Sequence, residues 1–222
     1  MNVQIKCTNI HFFDNSILCC LCHISTSENL LASGSYDKDI RVWNYQKNEC
    51  LYTLSGHSLS VRSIVKFDKN RFVSGSSDCS ILVWEIGKCE PSKHFEGKTK
   101  SIHCFVITDE NHLAVGSDCS IEIINLDILD NYKIFTTLAD HKKVINCLVL
   151  FDINLLVSGS LDHTIRIWNI TNSICLNTLS GHRDSISSII KLNNFQIAST
   201  SSDKSIVIWN LSKLGTAMRI YE

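Results

Sequence analysis

The chain has 222 residues, with 21 lysines and arginines against 22 aspartates and glutamates, so its formal net charge is −1. This balance excludes binding to nucleic acid or anionic lipid through a large positive charge. Hydrophobic residues make up 44% of the chain and charged residues 19%, which predicts a folded core. No apolar stretch approaches the roughly 18 residues of a membrane span. The first residues lack the basic and apolar regions of a secretory signal, so we expect none.

The chain contains 11 cysteines, an odd number. Without a secretory signal, this count predicts reduced thiols in the cytosol, with the nucleus as the alternative location. The run from Cys19 to His23 resembles a metal cluster, but neighbouring strand residues point to opposite faces of a sheet. Other cysteines recur at matching repeat positions, as small apolar side chains do. The sequence therefore predicts no metal ion and no cofactor.

A short motif recurs along the chain: Ser-Gly-Ser-x-Asp, or a close variant, followed by Trp six residues after the Asp. Its aspartates are Asp37, Asp78, Asp162 and Asp203, and a weaker copy around Asp118 is one residue shorter in its turn. The five aspartates lie 40 to 44 residues apart. A dipeptide precedes each later copy: Gly56-His57, Gly97-Lys98, Asp140-His141 and Gly181-His182. Such a fixed period indicates a repeat architecture.

Each repeat contains short β-branched runs separated by Gly, Ser, Asp and Asn turns. No window shows a helical period over 11 or more residues, so each unit is predicted to form about four antiparallel strands. A single small sheet cannot bury both of its apolar faces. Stacking the units around an axis buries both faces, which explains near-continuous apolar runs such as Ile206 to Ile208.

These motifs resemble those of the WD-repeat family, and the resemblance implies an all-β fold, a β-propeller built of four-stranded antiparallel blades. One departure is consistent, since the residue after the Trp is Asn or Glu instead of Asp. We interpret residues 1–222 as one propeller domain. Its five units are predicted at about 11–45, 54–86, 95–126, 138–170 and 179–211, with 1–10 as an outer closing strand and 212–222 as a tail or closing strand.

Three units contain His, Ser and Asp together, which invites interpretation as a catalytic triad. The set recurs three times in one chain, whereas an active site is needed once. The family resemblance implies instead that each set is a structural hydrogen-bonded tetrad completed by the Trp indole. The predicted tetrads are His57, Ser74, Asp78 and Trp84; His141, Ser158, Asp162 and Trp168; and His182, Ser199, Asp203 and Trp209. We therefore expect no catalytic residue and no enzymatic activity.

Two units lack one or more members of the tetrad. In unit one Asp14 occupies the histidine position, although Ser33, Asp37 and Trp43 are present. Unit three has three replacements, Lys98 for His, Val115 for Ser and Ile124 for Trp. Because its polar members are lost together, no half-satisfied network remains. Asp118 is then expected to be free.

Three arrangements of the ring remain open: a closed five-bladed ring, an open arc of a seven-bladed ancestor, and an arc completed by a partner or a second copy. The fourth strand of unit five has two candidate sources, Thr216 to Tyr221 and Val3 to Ile10. The second source would also cover an edge that otherwise promotes aggregation.

The resemblance implies a non-enzymatic scaffold or adaptor for protein–protein interaction, with partners docking on the rim where loops of all blades converge. The alternative is a substrate-recognition subunit of a ubiquitin ligase or a similar complex, whose second module would come from another chain. Expected partners are proteins or peptides, without direct nucleic-acid contact, and assembly into a larger complex stays open. Aromatic, arginine, apolar and polar residues at rim positions are the candidate binding residues: Tyr36, Arg62, His103, Val144, Asn146 and Leu161. Arg62, His103, Val144 and Asn146, from units two to four, are predicted to form one strip along the rim.

Overall fold

The computed structural model describes residues 17–25, 27–95, 100–126, 133–213 and 216–221. These residues form five four-stranded antiparallel sheets, here called blades one to five in chain order. Blade one consists of β1 (Leu18–Ser25), β2 (Leu30–Ser35), β3 (Ile40–Asn44) and β4 (Glu49–Leu54). Blade two consists of β5 (Val61–Lys66), β6 (Arg71–Ser76), β7 (Ile81–Glu85) and β8 (Pro91–Phe95).

The remaining blades follow the same plan. Blade three consists of β9 (Cys104–Ile107), β10 (His112–Gly116), β11 (Ile121–Asn125) and β12 (Lys133–Leu138). Blade four consists of β13 (Ile145–Asp152), β14 (Leu155–Ser160), β15 (Thr164–Asn169) and β16 (Ile174–Ser180). Blade five consists of β17 (Ile186–Lys191), β18 (Gln196–Ser201), β19 (Ser205–Asn210) and β20 (Thr216–Tyr221), with a short 3-10 helix at Leu211–Lys213 before β20.

In the described part of the chain, no helix is long and apolar enough to cross a membrane.

Every blade is a simple meander, because strand order within each sheet follows chain order. The first strands of successive blades pack on one another, β1 on β5, β5 on β9, β9 on β13 and β13 on β17. This arrangement places the first strands toward the inside and the fourth strands toward the outside. The fold is a five-bladed β-propeller arrangement, and the predicted all-β class with four-stranded antiparallel blades is confirmed.

The turn between the second and third strands has one geometry in four blades. The Asp carboxylate accepts a hydrogen bond from the amide two residues later, as in Asp162 Oδ1 with the amide of Thr164 at 3.0 Å. The residue between them adopts left-handed backbone angles, with φ of 69° at His163 and 67° at Cys79. An Asp that caps its own turn in this way offsets the cost of a left-handed non-glycine residue. The shorter turn of blade three does not place Cys119 in that region.

The fourth strand of blade five comes from the local candidate. β20 pairs with β19 along its whole length, from Ser205 opposite Tyr221 to Asn210 opposite Thr216. The other candidate, Val3 to Ile10, lies outside the described residues. Among the described strands, β17 makes no contact with β1 comparable to those between the other first strands. The described blades therefore form an arc that is open between blade five and blade one.

Candidate interaction surface

Blade four contains a complete chain of side-chain hydrogen bonds. The Nδ1 atom of His141 lies 2.8 Å from Asp162 Oδ2, and its Nε2 atom lies 2.6 Å from Ser158 Oγ. The indole N–H of Trp168 donates to the same hydroxyl oxygen at 2.8 Å. The carboxylate fixes the histidine proton on Nδ1, so the Ser158 hydroxyl donates to Nε2 and accepts from the indole. Each polar side-chain atom of these four residues thereby has a hydrogen-bond partner.

The same network occurs in two further blades. In blade two the distances are 3.1 Å for His57–Asp78, 2.8 Å for His57–Ser74 and 2.8 Å for Trp84–Ser74. In blade five they are 3.1 Å for His182–Asp203, 2.8 Å for His182–Ser199 and 2.8 Å for Trp209–Ser199. The three serine hydroxyls are buried, so no substrate reaches them. The arrangement ties the segment before the first strand to the turn after the second.

The protonation states of the network follow from its surroundings. Burial lowers the pKa of His141, and the neighbouring Asp162 only partly opposes this effect. Burial would raise the pKa of Asp162, but hydrogen bonds from Thr164, the Lys142 amide and His141 outweigh it and hold that pKa well below its usual range. A neutral imidazole therefore faces an ionised carboxylate at neutral pH.

Blade one retains part of the network. Trp43 donates its indole N–H to Ser33 Oγ at 2.8 Å. Asp37 forms an ion pair with Arg41, whose Nη1 atom lies 2.7 Å from the carboxylate. The cation on the third strand thus neutralises the turn carboxylate that pairs with a histidine in other blades. Asp14, expected at the histidine position, lies outside the described residues.

Blade three replaces the network with apolar packing, and Val115 and Ile124 are fully buried. Lys98 lies outside the described residues. Asp118 is not free as the sequence suggested, because its Oδ1 atom lies 3.6 Å from His103 Nε2. This contact joins a residue just before β9 to the shortened turn, and sequence spacing gives no sign of it.

The cysteines of the first strands are protonated packing residues. Burial raises the pKa of Cys20 and that of Cys147 to about 12 each. Cys104 is buried, and its thiol lies 3.5 Å from the Ile145 carbonyl of the next blade. Such thiols are poor nucleophiles and poor metal ligands at neutral pH.

One edge of the arc, here called the upper rim, is formed by the turns between second and third strands and by the segments that enter the first strands. Backbone hydrogen bonds join the two parts in four blades. The amide-to-carbonyl pairs are Tyr36–Ile17 at 3.0 Å, Ser77–Ser60 at 3.1 Å, Leu161–Val144 at 2.9 Å and Ser202–Ser185 at 3.0 Å. This bonding gives the upper rim a rigid base for presenting side chains.

Tyr36 of blade one and Arg62 of blade two meet on the upper rim. The guanidinium donates from Nη1 to the Tyr36 hydroxyl at 2.6 Å, and its carbon lies 5.3 Å from the ring centroid. Tyr36 is 52% exposed. Arg62 makes no ion pair with any residue of the described ranges. The pair crosses a blade boundary, so the sequence placed both residues on the rim without showing their contact.

His103 continues this surface into blade three. Its side chain is 16% exposed and faces the 52% exposed carboxylate of Asp118. Burial lowers the pKa of His103, and the positive charge of Arg62 lowers it further against the opposing effect of Asp118. The buried Nε2 atom has no hydrogen-bond partner in the described structure. Arg62 and His103 are therefore electrostatic neighbours, whereas the sequence only placed them in adjacent blades.

The remaining predicted residues lie in blade four. Val144 and Leu161 are both half-buried and are joined through their backbones. Asn146 is also half-buried, and its Nδ2 atom donates to the Ile186 carbonyl of blade five at 2.8 Å. This amide thus links two blades, a contact that repeat alignment does not show.

The fold, the repeated networks and the rim define a WD-type propeller. The pattern of the WD domain, G-beta repeat, matches residues 4–44, 48–85, 132–169 and 173–210. These matches cover more than half of the chain, and the chain belongs to this family. The first three strands of blade three fall between the second and third matches, in line with the loss of the Ser and Trp positions, and β12 lies within the third match.

Two similar proteins are the nuclear distribution proteins nudF of Aspergillus flavus and Aspergillus oryzae. Each is 28% identical over 147 residues, which is 66% of this chain and 24% of the relative. Myosin heavy chain kinase C of Dictyostelium discoideum is 42% identical over 41 residues, which is 18% of this chain and 5% of the kinase. The chain thus spans about a quarter of the length of the nudF proteins it matches.

Proposed function

We propose that the chain is a non-catalytic scaffold for protein–protein interaction, and that its partner docks on the upper rim at Tyr36, Arg62 and His103. The contact between Tyr36 and Arg62 carries the proposal. Tyrosine and arginine are enriched among the residues that dominate binding energy at protein interfaces. The hydrogen bond between them restricts both side chains before binding, which reduces the entropy lost when a partner docks.

The charge of this surface favours a partner that presents a carboxylate. Arg62 has no ion pair with a described residue, and its remaining N–H groups can bind a carboxylate in a bidentate manner. The exposed Tyr36 ring supplies apolar contact beside that charge. We therefore expect an acidic or C-terminal segment of the partner at Arg62, flanked by an apolar side chain that packs on Tyr36.

The test is an affinity pull-down that compares three forms of the chain, each expressed in cells of the organism that produces the protein. These are the wild type, the triple variant Tyr36→Ala, Arg62→Ala and His103→Ala, and the control variant Lys69→Ala. Lys69 is an exposed residue in the turn between β5 and β6, away from the upper rim. A partner is accepted only when the wild type and the control retain it and the triple variant does not. Its affinity for the three purified forms is then measured by calorimetry.

The proposal expects a loss of at least tenfold in affinity for the triple variant, while the melting temperature of that variant stays well above the temperature of the binding measurement. Equal affinity of the three purified forms would contradict docking at this part of the rim. Parallel loss of binding and melting temperature would show that the three residues act on folding instead of recognition.

A further inference from the structure

The apolar core is divided into four clusters, and each cluster lies between two successive blades. Each blade has a distal face, which packs on the next blade, and a proximal face, which packs on the preceding one. In the first cluster, Ile40 and Val42 on the distal face of blade one pack against Val61 and Ile64 on the proximal face of blade two. The other three clusters repeat this arrangement through blade five. The four interfaces therefore show what covers each kind of face.

No other blade of the described residues covers the distal face of blade five. Ile206, the first isoleucine of its third strand, is 41% exposed. The equivalent residues of the other blades are at most 1% exposed: Ile40, Ile81, Ile121 and Ile165. Ile190, on the first strand of the same blade, is 56% exposed. Both isoleucines lie at positions that a following blade covers elsewhere in the arc.

No blade of the described residues covers the proximal face of blade one either. Leu21 of β1 is 60% exposed. Its equivalents Ile64, Phe105 and Ile189 are each at most 8% exposed and Leu148 is half-buried, because the preceding blade covers them. Among the described residues, the arc thus ends in two apolar faces, one distal and one proximal. A distal and a proximal face pack on each other in each of the four internal interfaces.

The two uncovered faces also carry matching departures from the repeat. Four blades have a glycine in the second strand where the next blade approaches closely. A Cβ on Gly34 would lie 2.6 Å from Val61, and one on Gly159 would lie 2.5 Å from Ile186. Strand register places Thr200 at this position in blade five, opposite Ser188 as Gly159 is opposite Cys147.

The residue that meets each glycine is β-branched in blades two to five: Val61, Ile102, Ile145 and Ile186. In blade one the equivalent residue is Leu18. Leucine branches one carbon later, so its Cβ lacks the methyl group that meets the glycine. Thr200, which is larger than the glycine of the other blades, is therefore matched by Leu18, whose Cβ carries fewer substituents than that of Val or Ile. Both departures would fall at a single interface, that of blade five with blade one.

We propose that the distal face of blade five binds the proximal face of blade one in a second copy of this chain. The four internal interfaces supply the template, and Thr200 lies opposite Leu18 of the second copy. Within one copy these faces lie apart, since β17 and β1 do not pack together as the other first strands do. Such an interface is heterologous, so each added copy leaves one free face of each kind.

The test uses two variants at exposed positions, Leu21→Lys on the proximal face and Ile190→Lys on the distal face. In sedimentation velocity experiments, the wild type should form larger species as its concentration rises. Each variant alone should remain monomeric, because each has lost one of the two required faces. An equimolar mixture should give a 1:1 dimer of twice the monomer mass that grows no further, since the mixture holds only one intact interface.

Two controls complete the experiment. Ile153→Lys places the same charge at a 75% exposed isoleucine in the turn between β13 and β14, and it should associate as the wild type does. The double variant Leu21→Lys with Ile190→Lys should stay monomeric in every mixture. A wild type that is monomeric at all concentrations would overturn the proposal, as would a mixture of the two single variants that fails to dimerise. Either result would assign the exposed faces to closure within one chain or to a different protein.

Discussion

Trp168 donates its indole N–H to the buried hydroxyl of Ser158 at 2.8 Å, across the pairing of β14 with β15. The same distance separates Trp43 from Ser33, Trp84 from Ser74 and Trp209 from Ser199. The Trp–Ser contact is therefore present even in blade one, where the acid pairs with Arg41 instead of a histidine. Blade three lacks the contact because both of its members are apolar. The serine hydroxyl accepts the indole N–H in all four blades, and in three of them it also donates to a histidine, so each network depends on it.

Ser158→Ala should destabilise the protein by about 1–3 kcal/mol, because it leaves His141 and Trp168 buried without their partner. Chemical denaturation gives the free energy of unfolding. Ser180→Ala is the matched control, because Ser180 is exposed at the end of β16, and it should change stability by less than about 0.5 kcal/mol. Unaltered unfolding of Ser158→Ala, combined with loss of a partner, would show that the serine has a functional role instead.

Stability should fall as the pH is lowered from 7 to 5. Burial lowers the pKa of His57 and His141 below the ordinary value of 6.5, so the unfolded chain takes up protons before the folded protein does. A further loss is expected below about pH 4, because the pKa of Asp162 in the folded protein is below its ordinary value of 3.8. The melting temperature measured at fixed salt should show both steps.

Two histidine variants test whether His57 and His141 cause the loss of stability between pH 7 and 5. His163→Asn should fold normally, because asparagine tolerates the left-handed φ of 69° at that position. The variant leaves the networks of His57 and His141 unaltered, so the loss of stability between pH 7 and 5 should remain. The variant with both His57→Ala and His141→Ala should be less stable at pH 7 and should show a shallower slope between pH 7 and 5. An unchanged slope would mean that other groups take up the protons.

Asn146→Ala should reduce stability by about 0.5–1.5 kcal/mol, because it removes the hydrogen bond to the Ile186 carbonyl between blades four and five. Arg62→Ala removes only an exposed contact with Tyr36 and should cost less than about 0.5 kcal/mol. Thermal unfolding of both variants makes the comparison. If Asn146→Ala unfolds like the wild type, the hydrogen bond from Asn146 to blade five does not contribute to stability. That result would favour the prediction that Asn146 binds a partner.

Val115→Ser introduces a hydroxyl into blade three, at a fully buried position with no Trp at 124 to donate to it. Val115→Ala is the control, because it removes similar volume without adding a polar group. The serine variant should be less stable than the alanine variant by about 1–3 kcal/mol, the cost of burying an unpaired hydroxyl. Equal stability in denaturant would reveal a polar partner near Val115.

The sequence predicted most of the fold because each repeat carries its own local signals. The Ser-Gly-Ser turn, the Asp and the Trp indicate the second and third strands, and the resemblance to WD repeats implies the contact between His141 and Asp162. Contacts between blades were not predictable in this way. The Arg62–Tyr36 and Asn146–Ile186 hydrogen bonds join residues 26 and 40 positions apart, and no repeat marks them.

From the sequence, the open arc was one of three possible arrangements. Ile206 occupies the same repeat position as Ile165, and the isoleucine itself does not show whether a following blade covers it. Thr200, which replaces the glycine opposite Ile206, is a local departure whose meaning is clear only from the packing of the other blades. Asp118 shows the same limit on a smaller scale. Its neighbour His103 comes from a different segment of blade three, so only the three-dimensional arrangement shows that the two lie close together.

The most direct test of the account is hydrogen–deuterium exchange of the chain with and without the partner identified through the rim variants. If the upper rim is the docking surface, partner binding should slow amide exchange in residues 34–38, 58–62 and 101–104. Exchange in the opposite turns, residues 67–70 and 108–111, should not change. Protection of those opposite turns with no change on the upper rim would contradict the central claim that this propeller recognises its partner through Tyr36, Arg62 and His103.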